Sequence, residues 1–95
     1  MNSIIKGNEN GRCFICGKYC KTECHHIFGG ANRKKSEKLG LKIDLCHQCH
    51  NEPPHGVHFN KIINIYIKAL GQQQAVQFYN WTIEKFIQEI GRNYI

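Results

Sequence analysis

Two C-x-x-C pairs, Cys13-Phe-Ile-Cys16 and Cys46-His-Gln-Cys49, stand 29 residues apart in a chain of 95. No other feature limits the possible folds as strongly. A pair at this spacing makes a tight knuckle whose two sulfurs occupy adjacent corners of a tetrahedron, and Gly17 just after the first pair allows the turn. Two knuckles complete a closed four-cysteine zinc site, which supplies folding energy and leaves no coordination position for chemistry. A chain this short needs that support: a domain of this size buries only about 60–65% of the surface its unfolded chain exposes. The alternative of disulfides requires an oxidising compartment. Met1 to Gly11 reads MNSIIKGNENG, without the apolar stretch of a secretory signal, so a cytoplasmic location and reduced thiols are expected. No apolar run approaches the roughly 18 residues of a membrane span, and no membrane role is expected. Cys20 and Cys24 lie outside both pairs and are expected as free thiols.

The net charge of +6 is concentrated. From Arg12 to Lys42 eight basic residues face two acidic ones, and the rest of the chain balances five against five. A basic segment that also carries most of the Cys and His points to a polyanion partner, since lysines and arginines displace counterions from phosphates. Four thiolates with one Zn2+ would bring the total nearer +4, so placement matters more than the sum.

Organisation follows the same divide. Residues 1–11 read as a loose lead-in and residues 12–95 as one domain, in which 12–58 form a metal-clamped core of short strands and 59–95 a helical part. Asn60 is a good N-cap for a helix ending at Gly71. A second helix is expected over 72–90, with Val76, Tyr79, Ile83, Phe86, Ile87 and Ile90 at three- and four-residue steps, widened by Phe78 and Trp81, and Gly91 as its stop. That stripe reads as ordinary core.

Between the knuckles lies Thr22-Glu-Cys-His-His-Ile-Phe-Gly-Gly, and His50 follows the second pair to give C-x-x-C-H. Over Cys13 to about His58 this pattern resembles the HNH endonuclease family. With GVHF and the terminal GRNYI it resembles, more narrowly, small HNH-type proteins encoded by phages and prophages of Gram-positive bacteria. The resemblance implies an α+β fold with a ββα-metal core, here clamped by zinc and backed by C-terminal helices. It implies hydrolysis of DNA, with His26 as general base and a divalent ion, Mg2+, Mn2+, Ni2+ or Zn2+, on His25 and His50. His58 is the choice for a third ligand, with His55 as runner-up and no role for His47. Phosphodiester hydrolysis needs a base for water, a Lewis acid for the developing charge and cations to hold the backbone. An imidazole, titrating near pH 6.5, suits the first task.

The family's usual Asn, five residues before the second C-x-x-C, is replaced here by Leu41, and Asn32 is the candidate substitute that holds the loop. Pro53-Pro54 interrupts the helix that usually starts at the third His and delays it. Arg33, Lys34, Lys35 and Lys38 are expected in the loop between the strands as phosphate contacts. Adjacent residues of a regular strand face opposite ways, so His25 and His26 converge only where the strand ends or bulges, as Gly29 and Gly30 allow. Two rivals to the nuclease are a non-catalytic zinc-dependent nucleic-acid-binding module and a phage assembly adaptor, which would meet a second copy or a phage protein through its C-terminal helix.

Overall fold

A computed structural model describes residues 2–95. In chain order it contains β1 (Glu23–His26), a 3-10 turn (Gly30–Asn32), α1 (Arg33–Leu39), β2 (Lys42–Leu45), α2 (His47–Asn51), α3 (Lys61–Tyr79) and α4 (Ile83–Ile90). The two strands pair antiparallel, with Glu23 opposite Leu45 and His26 opposite Lys42. The result is a small α+β domain built on a two-stranded sheet, four helices and a four-cysteine cluster. No helix among the described residues is long and apolar enough to cross a membrane.

The alternation of β2 sets the core. Ile43 and Leu45, with Leu41 just before the strand, are fully buried, whereas Lys42 and Asp44 face outward. Ile27 and Phe28, Val57, Ile67 and Ala75 of α3, and Phe86 and Ile90 of α4 complete the same cluster. Phe28 is its hub, edge-on to Phe86 and tilted against Tyr94, with ring centroids 5.5 and 5.4 Å away. The buried Gln72 amide donates to Asn93 Oδ1 (2.7 Å), and its oxygen accepts from the Tyr94 backbone (2.6 Å), folding the GRNYI tail back onto α3.

Three expectations are corrected. Residues 2–11 are not loose: Ile5 is buried, Ile4 N–H donates to Gly40 O, and Asn8 Oδ1 accepts from the Asp44 backbone. Their apolar pair Ile4-Ile5 packs on the core, and Gly40 holds φ +73° where a Cβ would come within 2.5 Å of Asn2 O. Gly71 does not end a helix. Instead it lets α3 approach the sheet, because a Cβ there would lie 2.9 Å from Ile27 Cγ2. The break falls later, at Asn80 in the left-handed region, after which Thr82 caps α4 by accepting from Lys85 N–H. The anticipated long C-terminal helix is thereby split, and Ile83 and Ile87 stay partly exposed while Phe86 and Ile90 enter the core. Asn60 does cap α3, its side chain accepting from Ile63 N–H, and Gly91 does end α4.

The third correction concerns the basic segment. Arg33 to Lys38 lie in helix α1 rather than in an open loop. Ser36 explains this: it is fully buried, donates to Phe28 O (2.8 Å) and accepts from Phe28 N–H (3.0 Å), so one face of α1 is fixed to the chain leaving β1. Gly40 at positive φ then stops the helix.

Candidate metal centre and phosphate-binding cleft

The two knuckles meet as their spacing predicts. The sulfurs of Cys13, Cys16, Cys46 and Cys49 lie within 4.8 Å of one another, and Cys16 Sγ is 3.8 Å from Cys46 Sγ. Four thiolates at about 2.3 Å from a zinc ion would be separated by about 3.8 Å, so the cluster fits that ion. Backbone N–H groups of Cys16 and Cys49 point at the sulfurs of Cys13 and Cys46, each at 3.5 Å. Burial alone would raise the Cys13 thiol, but backbone hydrogen bonds from Cys16, Cys46 and Ile15 bring it down to about 6. Cys49 is pushed up by burial and by the neighbouring Cys46 and Cys13 sulfurs. Four crowded sulfurs cannot all ionise without a cation among them. Cys20 and Cys24 stand outside the cluster as free thiols.

A second cluster lies on the other side of the second knuckle. His25 from β1, His50 from α2 and His58 from the turn before α3 offer ring nitrogens within 4.8 Å of one another. His50 Nε2 and His58 Nε2 are 3.0 Å apart, and the His25 ring stands edge-on to both, with centroids at 5.1 Å. His25 is buried, and its Nε2 has no hydrogen-bond partner among the described residues. A buried orphan nitrogen aimed at two further imidazoles is the arrangement a divalent cation satisfies. Burial, then the neighbouring His50 and His58, lowers His25 to about 3, and burial likewise lowers His58. Both are held as the neutral imidazoles that metal ligation requires.

The chain supplies the support such a centre needs. Glu23 Oε1 is 2.8 Å from His50 Nδ1, and its other oxygen is 2.9 Å from His47 Nδ1. Donation from Nδ1 to a carboxylate leaves the His50 Nε2 lone pair free for a metal and fixes the ring. Glu23 itself is lowered to about 2 by hydrogen bonds from His50 and His47. The sequence reading missed Glu23, although its position was informative: two residues before His25 on a strand, it shares that residue's face. His47, to which no role was assigned, steadies Glu23. His55 lines a separate surface cavity with Glu52 and Pro53, so the choice of His58 over His55 accords with the cluster.

His26 goes elsewhere. The strand ends at His26, but its pairing is regular to the last residue, so His25 and His26 face opposite ways and do not share one cluster. His26 Nε2 lies 2.9 Å from Glu37 Oε1, and Lys42 Nζ is 2.6 Å from Glu37 Oε2. Lys42 first, then His26, holds the Glu37 carboxyl at about 2. His26 and Glu37 border a cavity of about 310 Å3 that Arg33, Lys34 and Lys38 also line. Helical periodicity selects the cations: residues 33, 34, 37 and 38 share one side of α1. Lys35 falls on another side, donates to Glu89 O and is absent from the cleft. Asn32 does not face the histidines either. Its amide donates to Ile90 O at 2.9 Å, tying the turn after Gly-Gly to α4, so it holds the loop.

No protein-family model, curated protein or solved structure matches this chain.

Proposed function

We propose that the protein is a small HNH-type endonuclease that hydrolyses DNA phosphodiesters with the help of a divalent ion. One observation carries this reading: His25, His50 and His58 converge with an orphaned buried nitrogen among them, directly across β1 from a cationic cleft that contains another histidine. Three imidazoles leave a coordination position open, in contrast to the closed thiolate cluster. When bound there, a divalent ion supplies Lewis acidity toward the phosphate and the departing oxygen.

The remaining work belongs to this chain's side chains. Arg33, Lys34 and Lys38 hold the DNA backbone in the cleft, Arg33 with two donors at once. This reading requires the scissile phosphate to meet both faces of β1 at its end, where His26 is the last residue of the strand. His26, held by Glu37, takes the proton of the attacking water. The new P–O bond forms as the P–O3′ bond breaks, and the 3′-oxygen takes a proton from solvent, leaving a 3′-hydroxyl and a 5′-phosphate. Glu23 keeps His50 in its ligating tautomer and orientation.

The test is nicking of supercoiled plasmid in Mg2+ or Mn2+. His26→Ala should lose about two to four orders of magnitude in rate, as removal of a general base does, while keeping its fold and its affinity for DNA. A His26→Ala protein that nicks like the wild type would overturn the assignment. Binding of DNA without any nicking by the wild type would leave the non-catalytic binding module in its place.

A further inference from the structure

Helix α3 is apolar on both sides. Its inner side carries Ile67, Gly71, Gln72 and Ala75 into the core. Its outer side carries Ile62, Ile65 and Tyr66, which are 82%, 57% and 67% exposed. An apolar helix face is ordinarily buried against something, and among the described residues nothing covers this one. Between it and the first zinc knuckle runs an apolar groove of about 420 Å3 lined by Phe14, Ile15, Ile62, Ile63, Tyr66 and Ile67. Phe59, just before the helix, is 58% exposed as well.

We infer that this face is a homodimer interface, in which the outer side of α3 and the groove beside it seat the same elements of a second copy. Two observations select a second copy over a different partner. The first is area. Taking about 200 Å2 for a fully exposed large side chain, Ile15, Phe59, Ile62, Ile65 and Tyr66 together present roughly 600 Å2 of apolar surface. That equals or exceeds the largest patch on a typical monomer, and with its margin approaches the ~800 Å2 per partner of a stable interface. The second is charge. From Ile62 through Gln77 the exposed residues of α3 are Ile62, Ile65, Tyr66, Gln73 and Gln77, none of them ionisable. Lys61 and Lys68 flank this row toward the C-terminal tail, where with Arg92 and Tyr94 they line a cavity that Ile65 also borders, so the cations edge the patch on one side. Two copies of this basic chain repel, and a row of exposed residues without charge lets them meet with few like charges opposed. An acidic partner would instead be matched by lysines inside the patch. Ridge and groove lie side by side, as a two-fold interface requires, since each copy must offer both. The inference is independent of the nuclease reading.

Size-exclusion chromatography with light scattering on the zinc-loaded full chain tests it. The wild type should show twice the 11.0 kDa chain mass and dissociate on dilution. Ile62→Glu should give a monomer of unchanged zinc content and circular dichroism. Phe78→Glu, at the far end of the same helix and also exposed, at 58%, should leave the dimer intact. A wild type that stays monomeric at its highest soluble concentration overturns the inference. So does a dimer that survives Ile62→Glu, or one that Phe78→Glu disrupts to the same extent.

Discussion

The thiolate cluster and the imidazole cluster are built from the same short segment, yet they differ in every property that decides what a metal can do. Cys46 and Cys49 bracket the start of α2, and His50 follows one residue later. On one side, four sulfurs surround a common centre and backbone N–H groups point at them, so the site is complete without solvent. On the other, three neutral imidazoles converge from β1, α2 and the approach to α3, a fourth position is left to the outside, and a carboxylate holds one ring. The first arrangement fits a closed structural site, and the second leaves room for a further ligand. The two share the start of α2, where His50 follows Cys49 directly.

The largest effect should come from breaking the thiolate side. Cys46→Ser should release the structural ion and unfold the domain, because zinc binding in such small sites is worth on the order of 10 kcal/mol of folding free energy. Elemental analysis with circular dichroism reads this out, and a folded, zinc-free variant would refute the four-cysteine assignment. On the imidazole side, His50→Ala should remove the second ion while the structural zinc and the fold remain. Glu23→Gln should weaken that ion about 10–100-fold, the usual cost of losing a carboxylate behind a ligand, and again spare the zinc. Equal loss of both ions in either variant would mean that the two sites are one unit.

Glu37 sharpens the comparison with the smallest effect, since it belongs to neither cluster. Its carboxyl sits at about 2 in the folded chain, below the ordinary carboxylate value of 4.5, owing to Lys42 and His26. A depressed value contributes stability that is full above pH 4.5 and is lost as the pH falls toward 2. The stability difference between wild type and Glu37→Gln should therefore be greatest above pH 5 and shrink across that window, with both metal contents unchanged at neutral pH. A pH-independent difference, measured by denaturant unfolding, would show that the contacts to Lys42 and His26 contribute nothing.

What could be read from the sequence was the chemistry that depends on spacing. Cys13, Cys16, Cys46 and Cys49 assemble as a C-x-x-C pair demands, and His25 and His50 meet beside them. Asn60 and Gly91 mark helix ends through local hydrogen bonding, which a short stretch of sequence specifies by itself. The misreadings all required tertiary contacts. Gly71 reads as a stop until Ile27 is seen packed against it. Lys35 reads like Arg33 and Lys34 until Ser36, buried under Phe28, fixes the rotation of α1. Asn32 is legible as a residue that holds the loop, but its partner, Ile90 O, is found only once α4 packs beside that turn. His58 illustrates the same point from the other direction: seven residues, two of them prolines, separate it from His50, and the turn between α2 and α3 brings the rings together.

The central proposal is that the imidazole cluster is a hydrolytic metal centre. Its most direct test is plasmid nicking by wild-type protein that retains its structural zinc, titrated separately with Mg2+, Mn2+, Ni2+ and Zn2+. The expected result is nicking that appears with at least one of these ions and saturates as one added ion per chain is bound. Absence of nicking with all four, from a folded protein that has taken up the second ion, would contradict it.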